Sequence, residues 1–308
     1  MCARVFALAI AQAVVLQAGA DGNFMECAAQ PGLPIRAVPV RAVTPALRAV
    51  DGLQASNFSL KLNGTVPKIC GFAHVRMPVS IGILLDVSGS MSEYGRTPAA
   101  VAAIDELLRR SGPQDEYFLA FAGKDATVRL GFTSDLSRIH AALKIPPVGQ
   151  TALVDAIYLA LNEFRKARYP TRALVVISDG GDNQSAYKLE DLDAALADDP
   201  VPVFFIDPTQ GWDARRRSVE EEELGRVQLY RIAAASGGCG GGGSVTPEEM
   251  RAVAGELSDV IRTPYMLYFA ASTGTLPRSK LTVEPAGVKP KPRLLYDAKH
   301  LPRWPGEP

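Results

Sequence analysis

Oxygen-bearing side chains occur in three separated segments of the sequence, and their types suit a divalent metal ion. Asp86, Ser88 and Ser90 form an Asp-x-Ser-x-Ser pattern at the end of the apolar run SIGILLD (80–86). Thr151 lies at the expected start of a helix in the segment GQTALVDAIYLAL (149–161), and Asp179 ends the run RALVVISD (172–179). Carboxylate and hydroxyl oxygens favour Mg²⁺, with Mn²⁺ or Ca²⁺ as alternatives, and suit Zn²⁺ or Cu²⁺ poorly. These five residues are therefore candidate metal ligands.

A site with only two carboxylates among its ligands leaves a bound cation electron-poor. Such an ion favours an additional carboxylate from outside the chain. We therefore expect the partner to be a protein that presents an Asp or Glu side chain.

The segments that must position these residues alternate between strand-like and helix-like patterns. Continuous apolar runs occur at SIGILLD, EYFLAFAG (116–123), RALVVISD and VPVFFID (201–207), which is typical of parallel strands buried on both faces. Helical patterns lie between them, the first expected to start at Thr97-Pro98. This alternation predicts a doubly wound α/β domain with a mostly parallel sheet. Its ligands bind beyond the carboxyl ends of the strands, so Asp86 and Asp179 should lie at one edge.

The segments on either side of this domain show a different pattern. Residues 34–74 and 264–297 contain short alternating runs, with turn residues such as Asp51-Gly52 and Asn63-Gly64. Neither flank can bury a core alone, so we expect the two to pair into one small accessory β unit. We therefore expect four segments. They are a signal peptide at 1–20, an N-terminal β segment at 21–76, the α/β domain at 77–263 and a C-terminal β segment at 264–308. The glycine-rich run GGCGGGGS (237–244) is predicted to be a surface turn.

The first twenty residues resemble a signal peptide. Arg4 precedes an apolar stretch from Val5 to Val15, and Ala18-Gly19-Ala20 offers a cleavage site. The stretch is shorter than the roughly 20 residues that span a bilayer. We therefore expect an exported chain, periplasmic or secreted, with no integral membrane segment after cleavage.

Composition and cysteine usage restrict the partners further. The 308 residues contain 33 Lys and Arg against 33 Asp and Glu, which gives no reason to expect a nucleic acid partner. Removal of the signal leaves three cysteines, so at most one disulfide forms, and we favour Cys27 with Cys70. The histidines lie far apart in sequence and do not pair with cysteines at zinc spacing.

The motifs DVSGSMS, GQTALVDAI and VISDGGDN, in that order, resemble the metal-ion-dependent adhesion site of von Willebrand factor type A domains. The resemblance covers residues 80–263 and assigns Asp86, Ser88, Ser90, Thr151 and Asp179 to the metal. The flanks also resemble the exported bacterial VWFA-related subfamily. The glycine-rich run and the segment DARRRSVEEEELGR (213–226) depart from its usual pattern. The resemblance implies metal-dependent adhesion without catalysis.

Other interpretations stay open at this stage. Each serine or threonine taken alone could be a helix cap or a turn residue. The domain could also be a structural or assembly module in which a metal ion only braces the loops. A hydrolase is less favoured. A phosphatase of the haloacid dehalogenase type needs a second carboxylate where this chain has Ser88, and a serine hydrolase needs a Gly-x-Ser-x-Gly motif with a histidine.

Overall fold

The structure, a computed structural model, describes residues 35–74, 76–144, 149–209, 219–242, 246–270 and 281–296. Within these ranges the strands are β1 (Ile35–Val43), β2 (Phe58–Leu62), β3 (Ile69–His74), β4 (Ser80–Asp86), β5 (Glu116–Ala122), β6 (Ala126–Thr133), β7 (Arg172–Ile177), β8 (Val203–Asp207), β9 (Gly240–Gly242), β10 (Tyr265–Ala270), β11 (Leu281–Pro285) and β12 (Arg293–Leu295). The helices are α1 (Arg96–Arg109), α2 (Leu136–Ala142), α3 (Leu153–Glu163), α4 (Leu189–Asp198), α5 (Val219–Ser236) and α6 (Pro247–Arg262). The predicted signal segment and Cys27 lie outside the described residues.

The chain divides into two compact units, and the larger comprises residues 46–49 and 77–262. Its six-stranded sheet has the order β6-β5-β4-β7-β8-β9, in which only β6 runs antiparallel to its neighbour. The four predicted apolar runs form β4, β5, β7 and β8, and every residue of β4, β5 and β8 is buried. The predicted doubly wound α/β fold is confirmed.

Two parts of this sheet differ from the sequence prediction. Edge strand β6 was not predicted, because the strands of this domain were expected as continuous apolar runs, whereas in β6 the half-buried Val128, Leu130 and Phe132 alternate with exposed residues. The prediction of a surface turn at the glycine-rich run was wrong, since Gly240–Gly242 pairs with β8 as a parallel strand. A Cβ atom at Gly240 would lie 2.2 Å from the ring of Phe205. These glycines therefore allow a strand to approach β8 closely.

Helix α1 begins two residues earlier than expected from a cap at Thr97 and a first helical residue at Pro98. Gly95, with φ of 78°, is its N-cap, and Arg96 is its first residue. The hydroxyl of Thr97 does not cap the helix but donates a hydrogen bond to the carbonyl oxygen of Met91, at 2.7 Å. The start of α1 is therefore tied to the loop that follows β4.

The smaller unit contains the described residues of both flanks apart from 46–49. Strand β1 pairs with β10 and β12, β10 also pairs with β3, and β11 pairs with β2, all antiparallel. Its core contains Val40, Leu60, Leu267, Phe269 and Val283. The predicted pairing of the two flanks into an accessory β unit is confirmed.

Cys70, in the smaller unit, is disulfide-bonded, whereas Cys239 is a buried thiol in the larger unit. The predicted partner of Cys70 is Cys27, which the structure does not describe. No helix in the described ranges has the length and apolar content that a membrane crossing requires.

Candidate metal centre

Asp86 is the last residue of β4 and its carboxylate is buried. One oxygen, Oδ1, accepts a hydrogen bond from the main-chain N–H of Ser88 at 2.9 Å, and Oδ2 accepts one from the hydroxyl of Ser178 at 2.6 Å. A central strand with buried residues throughout fixes the position of the carboxylate. The two hydrogen bonds then fix its orientation.

The two serines of the predicted pattern lie together in the loop after Asp86. The hydroxyl oxygens of Ser88 and Ser90 are 3.1 Å apart, close enough for one to donate to the other. Ser90 begins a short 3₁₀ turn that ends at Ser92, whose hydroxyl donates to the carbonyl oxygen of Gly89 at 2.6 Å. Ser92 is thus a turn residue, and the hydroxyls of Ser88 and Ser90 converge next to Asp86.

Asp179 lies two residues beyond β7 and is also buried. Its Oδ1 accepts a hydrogen bond from the N–H of Gly181 at 3.2 Å, and its Oδ2 accepts one from the guanidinium of Arg96 at 2.8 Å. Because β4 and β7 are parallel neighbours, Asp179 lies at the same sheet edge as Asp86.

The two carboxylates affect one another electrostatically. Burial, and next the negative charge of Asp179, raise the pKa of Asp86 to about 7, against the opposing effect of the hydrogen bonds from Ser178 and Ser88. Two acidic groups in a buried environment resist ionising together unless a positive charge compensates them. This arrangement therefore favours a cation.

Thr151 is buried and lies just before α3. Its N–H donates to the side-chain oxygen of Asn183 at 3.1 Å, and its carbonyl accepts from the N–H groups of Asn183 and Gln184, each at 3.0 Å. The next residue, Ala152, donates its N–H to the carbonyl of Gly123, just beyond β5, at 2.7 Å. The main chain of Thr151 is therefore held between the loops after β5 and β7.

Sequence reasoning missed two residues at this edge, Arg96 and Ser178. Ser178 directly precedes Asp179, but a lone serine at the end of a strand carries no signal of its contact with Asp86. The sequence indicates only weakly that Arg96 has a special contact. A positive charge at the start of a helix opposes the helix dipole, so the helix itself does not account for an arginine at this position.

The donor set fits a hard divalent cation. Among the residues that the structure describes, no three His, Cys, Asp or Glu side chains gather at one place, so any metal here relies on hydroxyl oxygens for part of its coordination. Two carboxylates with neighbouring hydroxyls match the ligand preference of Mg²⁺, Mn²⁺ or Ca²⁺.

Replacing Ser178 with alanine tests whether its hydroxyl orients Asp86. We expect the Ser178→Ala variant to bind Mg²⁺ about tenfold more weakly, because residues that orient metal ligands typically contribute a factor of ten or more. Isothermal titration of the full chain with MgCl₂ measures this change. Ser92→Ala, which removes a turn hydroxyl from the neighbouring loop, serves as the control and should change the affinity less. Equal affinities of wild type and Ser178→Ala would contradict the orienting role.

Comparison with protein-family models finds one match, which covers part of the chain. Residues 81–181 match the family model of the von Willebrand factor type A domain. A search of curated proteins finds no match.

Several solved structures are similar to this chain. BatB from Bacteroides thetaiotaomicron, described as a conserved hypothetical protein, has 25% sequence identity and a TM-score of 0.46, covering 59% of this chain and 98% of its own. An aerotolerance-related membrane protein from Bacteroides fragilis NCTC 9343 has 24% identity and a TM-score of 0.46, covering 58% and 98%. A von Willebrand factor type A protein from Catenulispora acidiphila has 13% identity and a TM-score of 0.49, covering 86% and 73%.

Proposed function

Because residues 81–181 match the family model of the von Willebrand factor type A domain, we propose that this chain is an exported, non-enzymatic binding protein that contacts a partner through a divalent cation. The ion is Mg²⁺, with Mn²⁺ or Ca²⁺ as alternatives. The residues that hold it are Asp86, Ser88, Ser90, Thr151 and Asp179. The partner is a protein that presents an acidic side chain.

The observation that carries the proposal is the arrangement of the loop after β4. The carboxylate of Asp86 is fixed by two hydrogen bonds, and the hydroxyls of Ser88 and Ser90 lie 3.1 Å apart beside it. Asp179 adds a second buried carboxylate at the same edge. A set of oxygen ligands that includes only two carboxylates suits a hard cation that still attracts an anionic group.

Each part of the chain then has a separate task. Strands β4 and β7 hold the two aspartates at neighbouring positions, and the loop after β4 brings the hydroxyls of Ser88 and Ser90 within 3.1 Å of each other. A bound cation supplies a Lewis-acidic centre that accepts an external carboxylate. Among the described residues of this edge we find no serine or aspartate paired with a histidine, which would be needed for nucleophilic hydrolysis.

The experiment is a pull-down with the full chain immobilised in Mg²⁺ and eluted with EDTA. We expect the partner to elute on chelation and to be retained when MgCl₂ replaces EDTA. A partner that stays bound in EDTA would instead support the structural or assembly module, in which the metal only braces the loops. Turnover of phosphate or carboxylate esters that depends on Asp86 would support a hydrolase.

A further inference from the structure

Arg96 is a buried positive charge within the candidate metal centre. It is only 1% exposed. Its Nη1 atom donates to Oδ2 of Asp179 at 2.8 Å and to the carbonyl oxygen of Ser90 at 3.4 Å. The guanidinium carbon also lies 5.7 Å from the centre of the Tyr94 ring, within the range of a cation–π interaction. The guanidinium therefore connects two of the three loops that form the site.

The stability of α1 does not explain this arginine. Arg96 is the first residue of the helix, where a positive charge opposes the helix dipole, and the first turn contains no acidic residue to offset it. The two preceding residues, Tyr94 and Gly95, have positive φ angles of 51° and 78°. For a residue other than glycine, that conformation is unfavourable. The guanidinium of Arg96 therefore lies beside Asp179 despite two unfavourable features, the positive charge at the start of the helix and the positive φ angle of Tyr94.

We propose that Arg96 is a permanent internal cation that neutralises Asp179, stabilising the metal-free domain and weakening its affinity for the divalent ion. This inference rests on the proposed function, because it concerns the same site. With both carboxylates ionised, the formal charge of Asp86, Asp179 and Arg96 together is −1. Without Arg96 it would be −2. A divalent cation is attracted more strongly to a site with a charge of −2 than to one with a charge of −1.

The pair also determines which of the two carboxylates has a positively charged partner. Both oxygens of Asp179 already accept hydrogen bonds, from Gly181 and from Arg96. Asp86, in contrast, receives no positively charged donor among its described hydrogen bonds. Asp86 is thus the carboxylate whose charge depends on the divalent ion, whereas Asp179 is compensated whether or not the ion is bound.

The test is titration of the full chain with MgCl₂, for wild type and for Arg96→Gln. We expect Arg96→Gln to bind Mg²⁺ about tenfold more tightly, because a unit positive charge has been removed from a partly desolvated site. We also expect its melting temperature in EDTA to fall below that of wild type, since Asp179 loses its partner, and saturating Mg²⁺ to recover much of the loss.

A matched control is available in the next strand. Arg226 donates from Nε to Oδ2 of Asp207 at 2.9 Å, an Arg–Asp pair at the end of β8. Arg226→Gln removes a guanidinium that is paired with a buried aspartate at the same sheet edge, although its side chain is 37% exposed against 1% for Arg96. We expect this variant to leave the Mg²⁺ affinity within about threefold of wild type. A tightening as large as that of Arg96→Gln would show a general charge effect and overturn the specific role of Arg96.

The outcomes separate this inference from the proposed function. If wild type shows no Mg²⁺ binding that depends on Asp86, the proposed function fails. If wild type binds Mg²⁺ but Arg96→Gln binds it no more tightly, the proposed role of Arg96 is wrong and the proposed function still stands.

If Arg96→Gln does not fold in EDTA, circular dichroism of the same variant in saturating MgCl₂ decides, because a bound divalent ion can supply the positive charge that Asp179 has lost. Recovery of the wild-type spectrum supports the neutralising role. A variant that stays unfolded in MgCl₂, at a concentration that saturates wild type, would mean that the contribution of Arg96 is not its charge, which overturns it.

Discussion

Replacing Asp86 with alanine is expected to abolish the response of this protein to Mg²⁺. Asp86 is the proposed ligand that no arginine compensates, and both of its oxygens are oriented by hydrogen bonds. Loss of a direct carboxylate ligand should lower the Mg²⁺ affinity by about a hundredfold or more, since even residues that only orient ligands contribute ten- to a hundredfold. Isothermal titration with MgCl₂ gives the affinity directly.

For the same variant, we also expect a smaller stabilisation of the native state by Mg²⁺ in unfolding experiments. At a Mg²⁺ concentration about 100 times the dissociation constant of wild type, binding stabilises the native state by about 2.7 kcal/mol. Asp86→Ala should gain less than about 0.5 kcal/mol under the same conditions. Urea unfolding with and without MgCl₂ measures both values. In EDTA the variant should remain folded, because removal of a buried acid whose pKa is raised by burial also removes a desolvation penalty.

Asp207 supplies the matched control for Asp86. It is buried at the end of β8, and it accepts hydrogen bonds from Arg226 and from the N–H of Thr209, each at 2.9 Å. Asp207→Asn therefore changes a buried carboxyl at the same sheet edge but outside the proposed ligands. We expect it to retain the stabilisation by Mg²⁺. Equal loss in both variants would refute the assignment of Asp86 as a ligand.

The fold was predictable because its strands are buried on both faces. Runs such as SIGILLD and VPVFFID have no polar alternation that would suit a solvent-facing strand, and they form β4 and β8. Parallel strands with intervening helices then place the residues that follow them at one edge. For this reason the amino-acid pattern alone assigns Asp86 and Asp179 to the same place, although they are 93 positions apart in sequence.

Interactions that depend on tertiary approach were not predictable. The glycines of β9 gave a composition typical of a loop, and only the proximity of Phe205 to Gly240 and of Asp207 to Gly242 shows why side chains are excluded there. Arg96 likewise appears in sequence as an ordinary charged residue near a helix start. Its contact with Asp179 requires the loop after β4 and the loop after β7 to meet. Such a pairing has no local sequence signal.

The second prediction with a large expected effect concerns Gly180, where the main chain of the Asp179 loop contacts the main chain of α5. Gly180 directly follows Asp179 and has φ of 89°, and a Cβ atom on it would lie 2.4 Å from the carbonyl carbon of Gly225 in α5. In the reverse direction, a Cβ on Gly225 would lie 2.5 Å from the carbonyl carbon of Gly180. Helix α5 can therefore pack against the Asp179 loop only if both residues lack side chains.

We expect Gly180→Ala to lower the free energy of unfolding by about 2–4 kcal/mol, because it combines an unfavourable left-handed conformation with overpacking against main-chain atoms. Urea unfolding in EDTA measures this loss without interference from metal binding. Gly181→Ala is the control, since its Cβ would lie 3.5 Å from Oδ1 of Asp179, an ordinary contact. That variant should change the free energy of unfolding by less than about 1 kcal/mol. If the two alanine variants were equally stable, the contact between Gly180 and Gly225 could not be what positions α5 against the loop of Asp179.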